Sequence, residues 1–287
     1  MVNPKQGNKG QGGKRGMWIA LAALVSAVLV AALGWFLWDQ NNGLSVSSYS
    51  YESHLVPSQF DGFCIVQVSD LHNKAFGKEQ ERLLRLIDAE QPDLVVITGD
   101  LVDNSAMENA LCFAKQAAGM ATCCYVPGNH EARSPSYAKL RQELQEAGVQ
   151  LLENSAISLE RQGERIWVLG VLDPAFGPWE EGLLDRLASE GEGELRILLS
   201  HRPDRLEAYA SSGVELVFSG HAHGGQIRLP GNGGLFAPDQ GLFPKYTSGM
   251  HQEGGTTLVI SRGLGNSAFP LRLFNRPELV VLRLQSA

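Results

Sequence analysis

The sequence predicts an α/β fold in which two mixed β-sheets pack face to face and are flanked by helices, four layers in all, preceded by one transmembrane helix. Three observations lead there. Residues Gly16 to Trp38 form an uncharged run of 23. From Phe63 onward, short β-rich apolar runs alternate with stretches of helical period. Those runs are continuously apolar rather than alternating, as in strands covered on both faces.

The N-terminal run comes first. As a helix it spans about 35 Å, enough for a hydrocarbon core of about 30 Å. Trp18 stands near one end and Trp35 and Trp38 near the other, where interfacial aromatics belong. Lys5, Lys9, Lys14 and Arg15 precede the run with no acid among them. The positive-inside rule then places residues 1–16 as a basic cytoplasmic tail and residues 17–38 as a signal anchor. A cleaved signal peptide is the rival, but its apolar region is shorter, about 7–15 residues, and is followed by a small-residue cleavage site. Residues 39–60, rich in Ser and Asn, read as a linker and leading strand. Residues 61–287 read as one catalytic domain.

Within that domain, strand runs are expected at 63–68, 93–98, 122–126, 157–160, 165–172, 195–199, 214–218, 256–261 and 279–284. Helical period covers 78–90, 106–118, 136–147, 179–189 and 203–210. The paired short strands near 157–172 and the strand-rich C-terminus suggest that the second sheet is mixed. Residues 230–255 are glycine-rich and aperiodic, and read as a long loop of the functional kind.

Charge narrows the function. The net charge is −7, and residues 1–16 hold +4, so the remainder holds −7 − 4 = −11. A nucleic-acid binder needs a basic face, and this body is acidic. Cys64, Cys112, Cys123 and Cys124 show no CxxC spacing and read as small buried side chains rather than a zinc knuckle.

Polar residues cluster where the strands end. Ser69-Asp70-Leu71-His72-Asn73 follows the first run, and Gly99-Asp100-Leu101-Val102-Asp103 the second. Gly128-Asn129-His130-Glu131 follows the third. Ser200-His201-Arg202 and Gly220-His221-Ala222-His223 follow two later ones. Ligands in α/β sheets gather at the carboxyl ends of strands, so five such loops can converge. Five of the seven histidines lie in them. Helix caps and turns account for Asp70 or Asn129 singly, but not for that concentration of imidazoles. Asp, Asn and His without cysteine form a hard-to-borderline donor set suited to Mn, Fe, Zn or Mg.

In order, these blocks resemble those of the calcineurin-like metallophosphoesterases over about residues 60–285. The stretch from Ser261 to Glu278 is similar to the bacterial, membrane-associated YkuE/YaeI-type branch. The resemblance implies the four-layer metallophosphoesterase fold and two divalent ions. Asp70, His72, Asp100 and His223 would hold one, and Asp100, Asn129, His201 and His221 the other, with Asp100 bridging. A hydroxide between the ions would attack phosphorus in line, and His130 would assist the leaving group. Asp103 and Glu131 are expected to orient neighbouring imidazoles. Arg202, Arg262, Arg272 and Arg276 are candidate substrate contacts. Phe236, Phe243 and Tyr246 either line an apolar approach or anchor the glycine-rich loop. His54 and His251 lie outside every block.

The implied activity is a phosphodiesterase or pyrophosphohydrolase acting on a lipid or cell-envelope compound, from a catalytic domain outside the cytoplasmic membrane. A phosphomonoesterase acting on proteins or nucleotides is the alternative. A catalytically silent membrane-anchored scaffold is a remote one, because all eight motif residues are intact. No nucleic-acid partner is expected.

Overall fold

A computed structural model describes residues 10–103, 106–229, 231, 233–266 and 269–287, with side chains from residue 15 onward. The tail residues Lys5 and Lys9 lie outside the described residues, as does the side chain of Lys14. The chain divides after Asp39 into two compact units. The first is α1 (Gly10–Asn42) up to that point. Arg15–Asn42 is long and apolar enough to cross a membrane. Its side chains from Met17 to Trp38 include many large exposed apolar groups, as the all-round apolar pattern requires.

The second unit's first strand is β1 (Ser45–Ser53), which lies within the residues 39–60 expected as linker and leading strand. Then come β2 (Cys64–Val68), α2 (Glu81–Glu90), β3 (Leu94–Thr98), α3 (Glu108–Met120) and β4 (Thr122–Val126). A short α4 (Asn129–Arg133), α5 (Tyr137–Glu146) and β5 (Gln150–Leu151) complete the first half. The second half runs through β6 (Ser155–Arg161), β7 (Glu164–Gly170), α6 (Leu183–Ala188), β8 (Arg196–Leu199), α7 (Leu206–Ser212) and β9 (Leu216–Ser219). Four two-residue strands follow: β10 (Arg228–Leu229), β11 (Gly233–Gly234), β12 (Phe236–Ala237) and β13 (Gly241–Leu242). β14 (Gly249–Glu253), β15 (Thr256–Ile260) and β16 (Glu278–Ser286) close the chain.

The first sheet has the order β1-β16-β2-β3-β4-β5, parallel except where β16 meets β2. The second has the order β14-β15-β9-β8-β7-β6, parallel at its centre with antiparallel edge pairs. Side-chain alternation along β2 shows why four layers form. Cys64, Val66 and Val68 face α2, α3 and α5, while Ile65 enters the layer between the sheets. A third apolar cluster covers the outer face of the second sheet with α6 and α7. One polar group bridges the inner layer: Gln67 Nε2 donates to Thr98 Oγ1 and to the Ser219 carbonyl, both at 2.9 Å.

Two expectations need correction. The helix expected over 179–189 is confined to Leu183–Ala188, because Gly182 enters it with φ of +73°. The aperiodic loop of 230–255 ends in a true strand: β14 pairs with β15 across Gly254-Gly255, while β10 to β13 form two small ribbons.

Candidate dinuclear metal centre

Strands β2, β3 and β4 of one sheet and β8 and β9 of the other aim their carboxyl ends at the same edge. The loops that follow continue the ladder. Asp70 N donates to the Gly99 carbonyl and His72 N to the Asp100 carbonyl, each at 3.0 Å. Gly220 N donates to the His201 carbonyl at 3.2 Å, which ties the two loops of the second sheet. Across the sheets, the Asp70 carboxylate accepts from His221 N at 3.1 Å. Such close approach leaves no room for side chains at two glycines. A Cβ at Gly220 would stand 1.8 Å from Ser69 Oγ, and one at Gly128 would stand 2.3 Å from Asp100 Oδ1.

The backbone at the site is strained. Asp70, His72, Asp100, His221 and His223 all have φ between +46° and +66°. A non-glycine residue held there costs on the order of 1–3 kcal/mol, and such outliers cluster at functional sites.

The side chains converge in two groups that share Asp100, and a third group, of His72, Asp103 and His130, adjoins them. Donor atoms of Asp70, His72, Asp100 and His223 lie within 4.8 Å of one another, and so do those of Asp100, His201 and His221. Asp100 Oδ2 lies 3.3 Å from His201 Nε2, 3.9 Å from His72 Nε2 and 3.9 Å from His130 Nε2. His201 Nδ1 sits 2.8 Å from the Thr98 carbonyl, which orients its Nε2 toward Asp100. His72 Nε2 and His223 Nε2 face each other at 3.3 Å. Asn129 Oδ1 is buried at the same place and accepts no hydrogen bond. The imidazole of His130 is a third exposed, with its Nδ1 3.1 Å from Asp103 Oδ1.

Electrostatics suit a cation. Burial pushes His72 down to about 4 and His221 to about 3, and holds His223 well below its ordinary value. These imidazoles are neutral and have lone pairs to give. Burial also disfavours charge on His201, but the Asp100 carboxylate outweighs it and raises His201 to about 10. Burial lifts Asp70 to about 6, whereas His201 overcomes the same burial at Asp100 and holds it well below the usual range. Two carboxylates, four imidazoles and an unpartnered amide oxygen thus face one small volume. That donor set fits divalent ions.

The mouth is a cavity of about 500 Å³ lined in part by Asp100, Asn129, His130, Arg133, Arg202 and Asp239. Sequence reasoning missed two groups at this mouth. Arg133, on α4, lines it. Asp239, in the glycine-rich segment, places its Oδ2 2.9 Å from His221 Nε2 and also pairs with Arg202. A lone acid 18 positions from its partner gives no periodic or motif signal.

The other candidates divide. Arg202 lines the cavity, but its fork is taken by Asp173, with Nε to Oδ2 at 2.5 Å and Nη2 to Oδ1 at 3.0 Å. Arg262 pairs with Glu278 at 2.9 Å and donates to Ser45 Oγ at 3.0 Å. Arg272 requires correction as a substrate contact: it is wholly buried and donates to the carbonyls of Gly265, Arg262 and Asn275. Arg276 is exposed and does not line the cavity. Glu131 also differs from expectation. It accepts the backbone amides of Asp100, Val102 and Gly128 at 2.8, 3.0 and 2.7 Å, so it clamps the loops instead of an imidazole. Tyr246 anchors its loop against the third cluster, whereas Phe236 and Phe243 are exposed.

The family model for calcineurin-like phosphoesterases matches residues 64–225. The chain belongs to this family. Calcineurin-like phosphoesterases are metal-dependent hydrolases of phosphoesters. Among its relatives, the uncharacterized metallophosphoesterase YkuE of Bacillus subtilis (strain 168) is 33% identical over 95% of this chain and 96% of its own. The phosphodiesterase YaeI of Escherichia coli (strain K12) is 29% identical over 77% of this chain and 82% of its own. A Bos taurus transmembrane protein with metallophosphoesterase domain is 28% identical over 93% of this chain and 62% of its own. Among solved structures, TT1561 of Thermus thermophilus aligns with a TM-score of 0.47 at 16% identity, over 70% of this chain and 90% of that one.

Proposed function

We propose that this phosphoesterase is a dinuclear phosphodiesterase or pyrophosphohydrolase, anchored by its N-terminal helix with the body outside the cytoplasmic membrane, and acting on a lipid or cell-envelope compound. The observation that carries the dinuclear reading is Asp100 Oδ2, which faces imidazoles of both donor groups. Asp70, His72, Asp100 and His223 hold one ion, and Asp100, Asn129, His201 and His221 the other. The pair supplies Lewis-acid activation of water and of the phosphoryl group.

The chain's own residues do the rest. Thr98 fixes the tautomer of His201, and Asp239 fixes the ring of His221. His130 stands at the cavity mouth beside Asp100, with Asp103 on its Nδ1. It gives the proton that the departing oxygen needs. Arg133 supplies positive charge at the mouth of an acidic body, while Arg202 is held there between Asp173 and Asp239. The diester preference is supported by the phosphodiesterase name of a relative. The outward orientation is supported by the basic residues that precede the helix.

The test uses the full chain in lipid nanodiscs, reconstituted with Mn. Metal analysis should return two ions per chain, and bis-p-nitrophenyl phosphate should be cleaved faster than p-nitrophenyl phosphate. Asp100→Asn should lose both ions and turnover. Cleavage of the monoester alone would make the protein a phosphomonoesterase, and silence on both substrates with metals bound would favour a scaffold.

A further inference from the structure

We propose that an apolar surface beside the catalytic cavity docks the body onto an anionic lipid bilayer. Among the described residues of the second unit, nine large apolar side chains are exposed, and six of them fall at Leu229, Phe236, Leu242, Phe243, Phe269 and Phe274. Leu242 and Phe243 are the most exposed, at 69% and 65%. The six sit on neighbouring segments. Phe236 pairs with Leu242 across β12 and β13. Phe236 and Phe269 line one cavity of about 210 Å³ together with Ile227 and Leu235. Arg228 N donates to the Leu273 carbonyl at 3.0 Å, which joins β10 to the segment that carries Phe274. Soluble monomers rarely gather so much exposed apolar surface in one place without a partner for it.

Two further observations make that partner a bilayer. The first is charge. Outside the core, residues 227–249 and 266–277 carry Arg228, Lys245 and Arg276 against the single acid Asp239, a net of 3 − 1 = +2, whereas residues 17–287 together hold −11. Lys245 and Arg276 are exposed, two positions beyond Phe243 and Phe274. Anionic headgroups attract such residues. The second is where the body's chain begins. Asn41 Oδ1 accepts from Arg272 N at 3.0 Å, and Gln40 Oε1 accepts from Asn275 N at 3.2 Å. The polypeptide therefore leaves the body for its apolar segment beside the loop that bears Phe269 and Phe274.

Pro238 and Asp239, between β12 and β13, also line the catalytic cavity, as does Asn266. Docking would present that cavity to phosphoesters at headgroup level, a consequence that rests on the function proposed above. The docking itself does not.

The test reads depth, not turnover. The full chain with Cys112→Ala is spin-labelled at Leu242→Cys, at Phe243→Cys or, as a reference, at Glu190→Cys on an exposed part of the second sheet's helical layer. Each is reconstituted into vesicles of phosphatidylcholine with phosphatidylglycerol and of phosphatidylcholine alone. In the anionic vesicles, collisions of the labels at 242 and 243 with oxygen, relative to a water-soluble nickel chelate, should exceed those at 190 several-fold, and Lys245→Glu should reduce the excess. Ratios equal to that at 190 would overturn docking. Equal ratios in the two vesicle types would overturn the electrostatic part. Spin–spin broadening that disappears on dilution with unlabelled chain would assign the surface to a second copy instead.

Discussion

Asp239 shows how a single carboxylate can matter at a distance from the motif blocks. Its Oδ2 lies 2.9 Å from His221 Nε2, whereas His221 Nδ1 faces His201, and Arg202, which Asp239 shares with Asp173, brings Nη1 within 2.9 Å of the same Nε2. An acceptor behind a ligating imidazole fixes its direction, and losing it lowers metal affinity or activity about 10–100-fold. Asp239→Asn should therefore weaken Mn binding by that order in a competition titration, with the fold unchanged by circular dichroism. Unchanged affinity would reduce Asp239 to a loop anchor. His130 should behave differently. His130→Ala should lower kcat about 10²–10⁴-fold while metal content stays normal, because its ring stands a third exposed at the cavity mouth and belongs to neither of the groups that share Asp100. Loss of metal in that variant would make His130 a ligand. The motif residues were legible because they share short loops after apolar runs. Asp239 was not, because its meaning depends on a chain reversal through two small ribbons.

At the scale of elements, the strand-end loops were legible and the arginines were not. Arginine in a C-terminal loop looks the same in sequence whether it meets phosphate or carbonyl oxygens. Arg272 meets carbonyls. It holds the Gly265 carbonyl at 2.5 and 3.0 Å, while Gly265 N donates to the Asp70 carbonyl at 2.5 Å. The guanidinium thus supports the turn behind the buried Asp70 carboxylate. Arg272→Met leaves several buried carbonyls unsatisfied, and at about 1–3 kcal/mol for each it should cost about 3 kcal/mol or more in urea unfolding. A change below about 0.5 kcal/mol would show that water replaces it. Helix boundaries and the 230–255 region were misjudged for a related reason. A glycine with left-handed φ shortened α6, and β14 owes its existence to β15 rather than to any period of its own.

For the whole molecule, orientation is the first prediction. Protease added outside intact cells should degrade the body, and protection until lysis would reverse the topology. A second concerns the thiols. Burial raises Cys64 and Cys123 and pushes Cys124 up to about 12, so these three should resist alkylation in the native state and Cys112 should react first by mass spectrometry. The layered architecture was readable from alternating apolar runs, but the order of the first sheet was not. There β1 lies beside β16, pairing Ser45 with Glu278 and Ser53 with Ser286. The strand furthest along the described chain is thus interior to the sheet, between β1 and β2. That arrangement makes the edge depend on a distant segment. Among the described strands β1 pairs with β16 alone, so a loop that encloses the rest of the domain has to close before β1 is held. A stop codon placed just ahead of β16 would strand β1 without a neighbour.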